Sequence, residues 1–265
     1  MTTVMVCGTT GKMGREVVKA VNNDQELTLI GGIDPSAAGE DLGLAAGIEK
    51  LDIAIHASLT EALSKRKPDV IVDFTTPAII FENAKTVLEA GVHMVIGTTG
   101  LTAEQRDELA AIGARTGANC LVAPNFSLGA VMLMKTAAEL APYFPNVEII
   151  ELHHNHKYDA PSGTAVLTAK LINDAKAAAK VEAEEDKTRE SLPGARGAKV
   201  DEVTIHSVRL PGYVAHQEVL FGGYDETLTL RHDSLSRLSF MPGVVLACKK
   251  IKEKKGLTYG LEHYL

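Results

Sequence analysis

The run Gly8-Thr9-Thr10-Gly11-Lys12-Met13-Gly14 is the strongest indication of the fold of the first half of this chain. Its glycines match G-x-x-G-x-x-G, a variant of the dinucleotide fingerprint. One glycine permits a tight turn from strand to helix, another lets the backbone approach a pyrophosphate, and the third lets helix and strand pack closely. Taken without their context, these glycines would also fit an ordinary tight turn that binds no ligand. Because the run follows the β-prone segment 3–7 and opens a helical pattern over 12–21, we favour a phosphate-binding turn.

Asp34 supplies the acidic partner that such a turn requires. It ends the second predicted strand, Leu27–Ile33, and lies 20 residues beyond Gly14. A carboxylate there accepts hydrogen bonds from ribose hydroxyls and repels a ribose 2′-phosphate, and the next residue is Pro35, not a basic residue that could pair with the phosphate. We therefore expect NADH to be used well. Lys12 could still admit NADPH, or it could be an ordinary solvated helix residue.

The rest of the first half alternates apolar strands with helices. Strand-like runs cover 70–72, 92–96 and 121–123, and helical patterns cover 78–90 and 103–116. This alternation predicts a parallel sheet covered on both faces, in which ligands bind beyond the carboxyl ends of the strands. The loops at those ends predict a cofactor site, with the segment 74–77 as a further candidate. The predicted cofactor residues are Gly8, Thr9, Thr10, Gly11, Lys12, Met13, Asp34, Gly97, Thr98, Thr99, Ala123, Pro124, Asn125 and Phe126.

The second half has a different pattern. Alternating runs over 202–210, 214–221 and 226–231 predict a mostly antiparallel sheet with one wet face, accompanied by a helix over 165–180. We therefore predict an α/β fold whose parallel-sheet domain is joined to a second, α+β domain. The composition shift near residues 125–130 assigns 1–126 and 241–265 to the dinucleotide-binding domain. Residues 127–240 form the predicted substrate-binding and oligomerisation domain.

The densest chemistry in the chain lies between Glu151 and Ala165. His153, His154, His156 and Lys157 fall within five residues just past a strand, and such side chains donate and accept protons near neutral pH. Ser162 can cap a helix whose first amides would bind a substrate carboxylate. A surface histidine cluster and a simple helix cap would explain the two features separately. No cysteine or carboxylate completes a usual metal-ligand spacing, so we expect no metal.

Composition narrows the classes of partner. The 265 residues carry 27 basic and 34 acidic side chains, a net charge of −7, which disfavours binding nucleic acid or anionic membranes by bulk charge. Three cysteines in apolar runs argue against a disulfide framework and for a reduced, cytoplasmic setting. No secretory signal and no apolar run of membrane-spanning length is visible. We expect a small-molecule ligand.

The run His153-His154-Asn155-His156-Lys157-Tyr158-Asp159-Ala160-Pro161-Ser162-Gly163-Thr164-Ala165 closely resembles the signature of the 4-hydroxy-tetrahydrodipicolinate reductases, also called dihydrodipicolinate reductases. The resemblance extends to Gly8–Gly14, 97–100, 125–129 and 241–243, in order along almost the whole chain. A thirteen-residue polar motif is far more specific than a glycine fingerprint.

This resemblance implies a Rossmann-like first domain that includes the last helix, a homotetramer, and NADH- or NADPH-dependent reduction of a cyclic dicarboxylate in lysine and diaminopimelate biosynthesis. By motif position, His153 is the proton donor and acceptor and Lys157 is a proton donor. The substrate carboxylate is held by His154, Gly163 and Thr164. Many members carry an arginine after the acidic residue where this chain has Pro35, which puts the cofactor preference in question.

Three rival classes share parts of this pattern. A sugar or aldehyde dehydrogenase of similar architecture would oxidise a neutral polyol and would not need a carboxylate site at Gly163-Thr164. A semialdehyde dehydrogenase needs a nucleophilic cysteine, and Cys120 lies inside a strand-like apolar run. A redox sensor that binds NAD(H) without turnover would lack the acid pair and would usually carry a DNA-binding or partner module.

Overall fold

The computed structural model describes all 265 residues and divides into two compact units. Unit 1 comprises Met1–Phe126 and Phe240–Leu265, and unit 2 comprises Ser127–Ser239. The strands and helices in chain order are β1 Thr2–Cys7, α1 Lys12–Asn23, β2 Leu27–Ile33, α2 Leu42–Ala46, β3 Ile55–His56, α3 Leu59–Lys65, β4 Val70–Asp73, α4 Ile80–Glu89, β5 His93–Ile96, α5 Ala103–Thr116, β6 Cys120–Val122, α6 Leu128–Leu140, β7 Asn146–His153, α7 Gly163–Ala179, β8 Ala198–Val200, β9 Val203–Arg209, β10 Ala215–Gly223, β11 Glu226–Ser234, α8 Met241–Lys250 and β12 Leu257–Tyr259. Short 3₁₀ helices cover Pro35–Ala37, Ala141–Tyr143, Arg237–Phe240, Ile251–Glu253 and Leu261–Tyr264.

Unit 1 is built on a seven-stranded sheet in the order β12-β6-β5-β4-β1-β2-β3, with every neighbouring pair parallel. Successive side chains of a strand point to opposite faces of a sheet. In β1, Val4, Met5 and Val6 are all fully buried, so both faces of this strand are covered. The predicted parallel, Rossmann-like sheet is therefore confirmed. β1 lies between β2 and β4, which brings the glycine run after Cys7 to the middle of the carboxyl edge.

Unit 2 is built on a five-stranded sheet in the order β11-β10-β7-β9-β8. Its pairs are antiparallel except for β7 with β9, so the predicted, mostly antiparallel sheet is confirmed. Side chains from α6 and α7 pack in one core cluster with Ile149 of β7 and Val219 of β10. Because strand side chains alternate, Glu151 lies on this buried side of β7, whereas Glu148 and Ile150 lie on the opposite side.

The sequence prediction missed six elements: α2, β3, α3, α6, β8 and β12. For α6 and β12 the reason is identifiable. In α6 the residues 130–134 are all apolar in sequence although Met132 is exposed in the structure, so this run hides the helical period that the buried residues follow. Strand β12 has only three residues and gains its hydrogen bonds from β6, a partner far away in sequence. No helix of the chain combines the length and the apolar character needed to cross a membrane.

Candidate active site

The glycine run adopts the geometry that its spacing predicts. Gly8 has a φ of +78°, a value that favours glycine, and a Cβ added to it would lie 2.8 Å from the carbonyl oxygen of Phe74. Gly14, in the first turn of α1, packs so closely on the turn that an added Cβ would lie 1.9 Å from the Gly8 oxygen. Glycine is therefore required at both ends of the run. Gly11 is exposed and precedes the first residue of α1, which leaves a bare helix start for an anion.

Asp34 ties the glycine run to the end of β2. Its Oδ2 accepts hydrogen bonds from the Thr10 amide (3.0 Å) and hydroxyl (2.6 Å), and its Oδ1 accepts from the Ser36 amide (3.1 Å) and hydroxyl (2.7 Å). Burial opposes ionisation, but the hydrogen bonds from Thr10 and Ser36 outweigh it and hold the pKa of Asp34 below its ordinary value. A ribose hydroxyl that donates to this carboxylate must take the place of one of the two protein hydroxyls.

A cavity of about 450 Å³ opens beside the run and Asp34. Its size suits a nucleotide. The predicted residues that line it are Gly8, Thr10, Gly11 and Asp34. Phe74, Thr75 and Thr76, from the further candidate segment, also line it, as does Pro35. The remaining lining residues were not predicted as part of the site: Cys7, Ile33, Ala57, Ser58, Leu59, Ile79 and Asn83.

Other predicted cofactor residues lie outside this cavity. The Thr9 side chain is fully buried, and a Cβ added to Gly32 would lie 2.7 Å from its Cγ2, so only the Thr9 backbone could face a ligand. Lys12 is exposed and Met13 is half-buried. The segments 97–99 and 123–126 follow the neighbouring strands β5 and β6, at the carboxyl edge of the same sheet.

The Phe74 ring connects these segments. A Cβ added to Gly97 would lie 2.1 Å from the Phe74 ring, and the rings of Phe74 and Phe126 have centroids 5.7 Å apart. The loops after β4, β5 and β6 therefore pack on one another through one aromatic side chain. The sequence reading placed Phe74 only as a possible completion of the pocket.

Asp73 is the residue that the sequence reading missed at this edge. It is fully buried, and its Oδ1 accepts from the Thr75 amide (2.9 Å), the Thr75 hydroxyl (2.7 Å) and the Thr98 hydroxyl (3.0 Å). Its Oδ2 accepts from the Asn83 side chain (2.9 Å). The carboxylate thus holds the loops after β4 and β5 together. A carboxylate that ends the apolar run 70–72 and precedes two threonines was the available signal.

The second site lies in unit 2, at the end of β7. Nδ1 of His153 lies 2.6 Å from Oε2 of Glu151, and the Glu151 side chain is completely buried. Arg209 donates to both oxygens of Glu151 at 2.7 Å. Burial opposes ionisation of Glu151, but the hydrogen bonds from His153 and Arg209 outweigh it and lower its pKa to about 2. Glu151 is therefore a carboxylate at neutral pH.

Lys157 lies in the loop between β7 and α7. Its Nζ donates to Oδ1 of Asp159 at 2.7 Å, and the Asp159 carbonyl accepts from Arg209 at 2.8 Å. Burial opposes ionisation of Asp159, but Lys157 and the Gly163 amide outweigh it and lower the pKa of Asp159. The Ala160–Pro161 bond that follows is cis. Asp159 thus binds Lys157 and the Gly163 amide, two groups that we predicted to act on the substrate.

The start of α7 is capped as predicted. The Ser162 hydroxyl accepts a hydrogen bond from the Ala165 amide at 3.2 Å, and the Ser162 amide donates to Oε1 of Glu151 at 3.1 Å. Gly163 and Thr164 are the first two residues of the helix, and Gly163 is exposed. Their amides lie in the first turn, where the helix favours an anion.

His154 lies among positive charges. Burial lowers its pKa, and so do the charges of His153, His156, Arg237 and Lys157, in that order. This concentration of cationic groups suits a ligand with negative charge. Arg237, in a 3₁₀ helix 83 residues downstream of His154, is part of this electrostatic environment. Nothing in its local sequence indicated that role.

Comparisons with known proteins agree over the whole chain. Residues 2–126 match the family model for the N-terminus of dihydrodipicolinate reductase, and residues 129–265 match the model for its C-terminus. The 4-hydroxy-tetrahydrodipicolinate reductases of Listeria welshimeri and Syntrophomonas wolfei are each 48% identical over 262 residues, covering 99% of this chain and 99% and 98% of the relatives. The structure of dipicolinate-bound dihydrodipicolinate reductase from Paenisporosarcina sp. TG-14 has a TM-score of 0.88 and 43% identity, covering 100% of both chains.

Proposed function

Since the chain belongs to the dihydrodipicolinate reductase family, we propose that its two sites together reduce 4-hydroxy-tetrahydrodipicolinate. The protein is an oxidoreductase of lysine and diaminopimelate biosynthesis, and its product, after loss of water from the substrate, is tetrahydrodipicolinate. The observation that carries the assignment of residues is the grouping, within unit 2, of a carboxylate-bound histidine, a lysine and a capped helix start.

We propose that unit 1 holds a nicotinamide nucleotide, which supplies the hydride when it is bound. The bare amides at the start of α1 would bind the pyrophosphate, and Asp34 would bind the adenosine ribose. The segments 97–99 and 123–126 would contact the nicotinamide end. Two observations support this placement. Gly8 and Gly14 leave no room for a Cβ, as the close turn of a phosphate-binding loop requires, and a cavity adjoins the turn.

For the choice of nucleotide, we propose that NADH is used well and that NADPH is accepted through Lys12. The ionised Asp34 and the following Pro35 disfavour a 2′-phosphate near the ribose site. Lys12 is exposed at the first position of α1, where its ammonium could reach a phosphate.

We propose that the substrate dianion binds at the start of α7. One carboxylate would accept hydrogen bonds from the first amides, at Gly163 and Thr164, with His154 alongside. Addition of hydride places negative charge on the substrate ring, and a nearby acid must supply a proton to complete the reduction. His153 and Lys157 are the acids that the site offers. Asp159 engages one of the three Lys157 donors and the Gly163 amide. The amide must therefore leave Asp159 to reach the substrate, whereas the ammonium keeps two donors for it.

The test is direct. Oxidation of NADH and of NADPH is followed with freshly generated 4-hydroxy-tetrahydrodipicolinate, and turnover is expected with at least one of them. His153→Ala and Lys157→Ala should each lower kcat by roughly 10²–10⁴-fold if both groups are general acids. Lys170→Ala, which removes an exposed lysine of the same unit, is the matched control and should keep normal turnover. Normal kcat in the Lys157 variant would remove that residue from the mechanism.

We also propose a cytoplasmic homotetramer. The three cysteines are free and buried, which supports a reducing compartment. The face of the unit 2 sheet opposite α6 and α7 carries Ile150, Leu152 and Leu220 at half-buried positions, which supports association between copies through this face. Sedimentation should give the mass of four chains, and Leu220→Asp should lower it.

A further inference from the structure

Glu151 contacts His153 and the start of α7 directly, and it reaches the loop that carries Lys157 through Arg209. Its Oε2 accepts from His153, its Oε1 accepts from the Ser162 amide at the start of α7, and both oxygens accept from Arg209. Arg209 in turn donates to the Asp159 carbonyl, in the turn that follows Lys157. One fully buried carboxylate therefore connects the histidine, the lysine-bearing loop and the helix start.

The contact with Glu151 determines where the histidine carries its hydrogen. An ionised carboxylate can only accept hydrogen bonds, so Nδ1 of His153 must be the donor across the 2.6 Å contact. A neutral ring then keeps its hydrogen on Nδ1, which leaves the Nε2 lone pair to take and return a proton. Arg209 balances the carboxylate charge at two contacts, which makes burial of that charge tolerable.

We propose that Glu151 is a positioning residue that holds His153 in the Nδ1–H tautomer and aims Nε2 at the substrate. This inference rests on the proposed function, because it assumes that His153 transfers a proton. Glu151 acts through the histidine and has no direct role in the reaction. His153 is 14% exposed, so the ring reaches solvent while its Nδ1 edge stays on the buried carboxylate.

Substitution by glutamine separates this role from support of the fold. A glutamine amide best keeps its oxygen toward the Ser162 amide and one Arg209 nitrogen, because both are donors. Its NH₂ group then faces Nδ1 of His153 and forces that nitrogen to accept. Glu151→Gln should therefore preserve the helix start but move the hydrogen of the neutral ring to Nε2.

Strand β7 contains a natural control for this experiment. Glu148 lies three residues before Glu151 in β7 and on the opposite face of the sheet. It contacts His206 at 2.7 Å and also pairs with Arg196. It repeats the carboxylate–histidine–arginine arrangement away from the proposed site. Glu148→Gln removes the same charge from the same strand and should leave His153 unchanged.

The experiment combines nitrogen-15 NMR of the histidine rings with steady-state kinetics. At a pH where the rings are neutral, the wild-type His153 signal, assigned by its loss in His153→Ala, should show Nδ1 protonated and Nε2 bare. Glu151→Gln should reverse this pattern and lower kcat by about 10²-fold with little change in KM. Glu148→Gln should match the wild type in both measurements.

Three results would overturn the proposal: a wild-type ring protonated on Nε2, a Glu151→Gln enzyme with normal kcat, or an equal loss of kcat in Glu148→Gln. If Glu151→Gln does not fold, the wild-type ring spectrum alone decides the tautomer. Absence of turnover in the wild type with both nucleotides would instead refute the proposed function, and the NMR result would still judge the contact between Glu151 and the ring.

Discussion

Replacement of Gly14 by alanine tests the glycine turn most severely. The added Cβ would lie 1.9 Å from the Gly8 carbonyl oxygen, 2.7 Å from the Gly8 carbonyl carbon and 3.0 Å from the Thr9 Cα. All three atoms belong to the backbone, so no side chain can rotate away. Relief of the contact with the oxygen requires the first turn of α1 to move by about 1 Å, since carbon atoms essentially never approach closer than 3.0 Å in this way.

The energetic cost of Gly14→Ala follows from two opposing effects. Alanine favours a helix interior by about 1 kcal/mol over glycine, whereas overpacking costs about 3 kcal/mol when the surroundings cannot yield. The difference, about 2 kcal/mol, corresponds to a fall in Tm of roughly 4–8 °C. The same displacement moves the amides that we assign to the pyrophosphate, and we expect NADH to bind about tenfold more weakly.

Thermal unfolding and titration with NADH measure the two effects separately. Gly163→Ala is the control for stability, because its Cβ would meet nothing within 4 Å at the start of α7 and its Tm should not fall. If Gly14→Ala kept both the wild-type Tm and the wild-type NADH affinity, the close approach of helix and turn would not govern either property, and the reasoning would be wrong.

Three other predictions concern single charges. Lys12→Ala should weaken NADPH binding about tenfold in a titration and leave NADH binding nearly unchanged; equal losses would exclude a contact between Lys12 and the 2′-phosphate. Lys252 and Thr3 hold the pKa of Asp69 well below its ordinary value, so the stability that this carboxylate provides is present above about pH 4 and is lost as the pH falls further. The Tm of Asp69→Asn should accordingly lie below the wild-type Tm at pH 7 and converge with it in acid, and a constant gap would contradict this. Asp159→Asn should lower KM for the dicarboxylate several-fold, because Lys157 no longer has a competing carboxylate; an increase in KM would show that Asp159 supports binding.

The sequence predicted those parts of the structure that are determined by residues close together in the chain. The alternation of apolar strands with helices, the glycine spacing and the Ser162 cap each depend on neighbours in sequence, and the first of these predicts the parallel sheet. Asp73 and Arg209 were not predicted, because their importance arises from hydrogen bonds to Thr98 and Glu151, partners 25 and 58 residues away. Such long-range contacts leave no period in the sequence.

The environment of Glu151 shows the same limit. Its position two residues before the histidine motif was visible, yet its complete burial depends on which face of β7 the helices cover, a property of the folded sheet. The saturation of Asp34 by Thr10 and Ser36 is similar. The spacing predicted a carboxylate at the ribose site but not that protein hydroxyls already occupy its acceptor positions.

The sheet of unit 1 can be completed only at the end of translation, because its edge strand β12 lies near the C-terminus of the chain. It pairs with β6 at the edge of the unit 1 sheet, and the Asn119 side chain contacts the same C-terminal segment at Ile251 and Gly256. All of unit 2 is translated between these two partners. A ribosome-bound chain that has not yet released β12 therefore has β6 as an unpaired edge, which is the kind of strand that recruits other chains. Premature termination after unit 2 should leave this edge unpaired and yield aggregates.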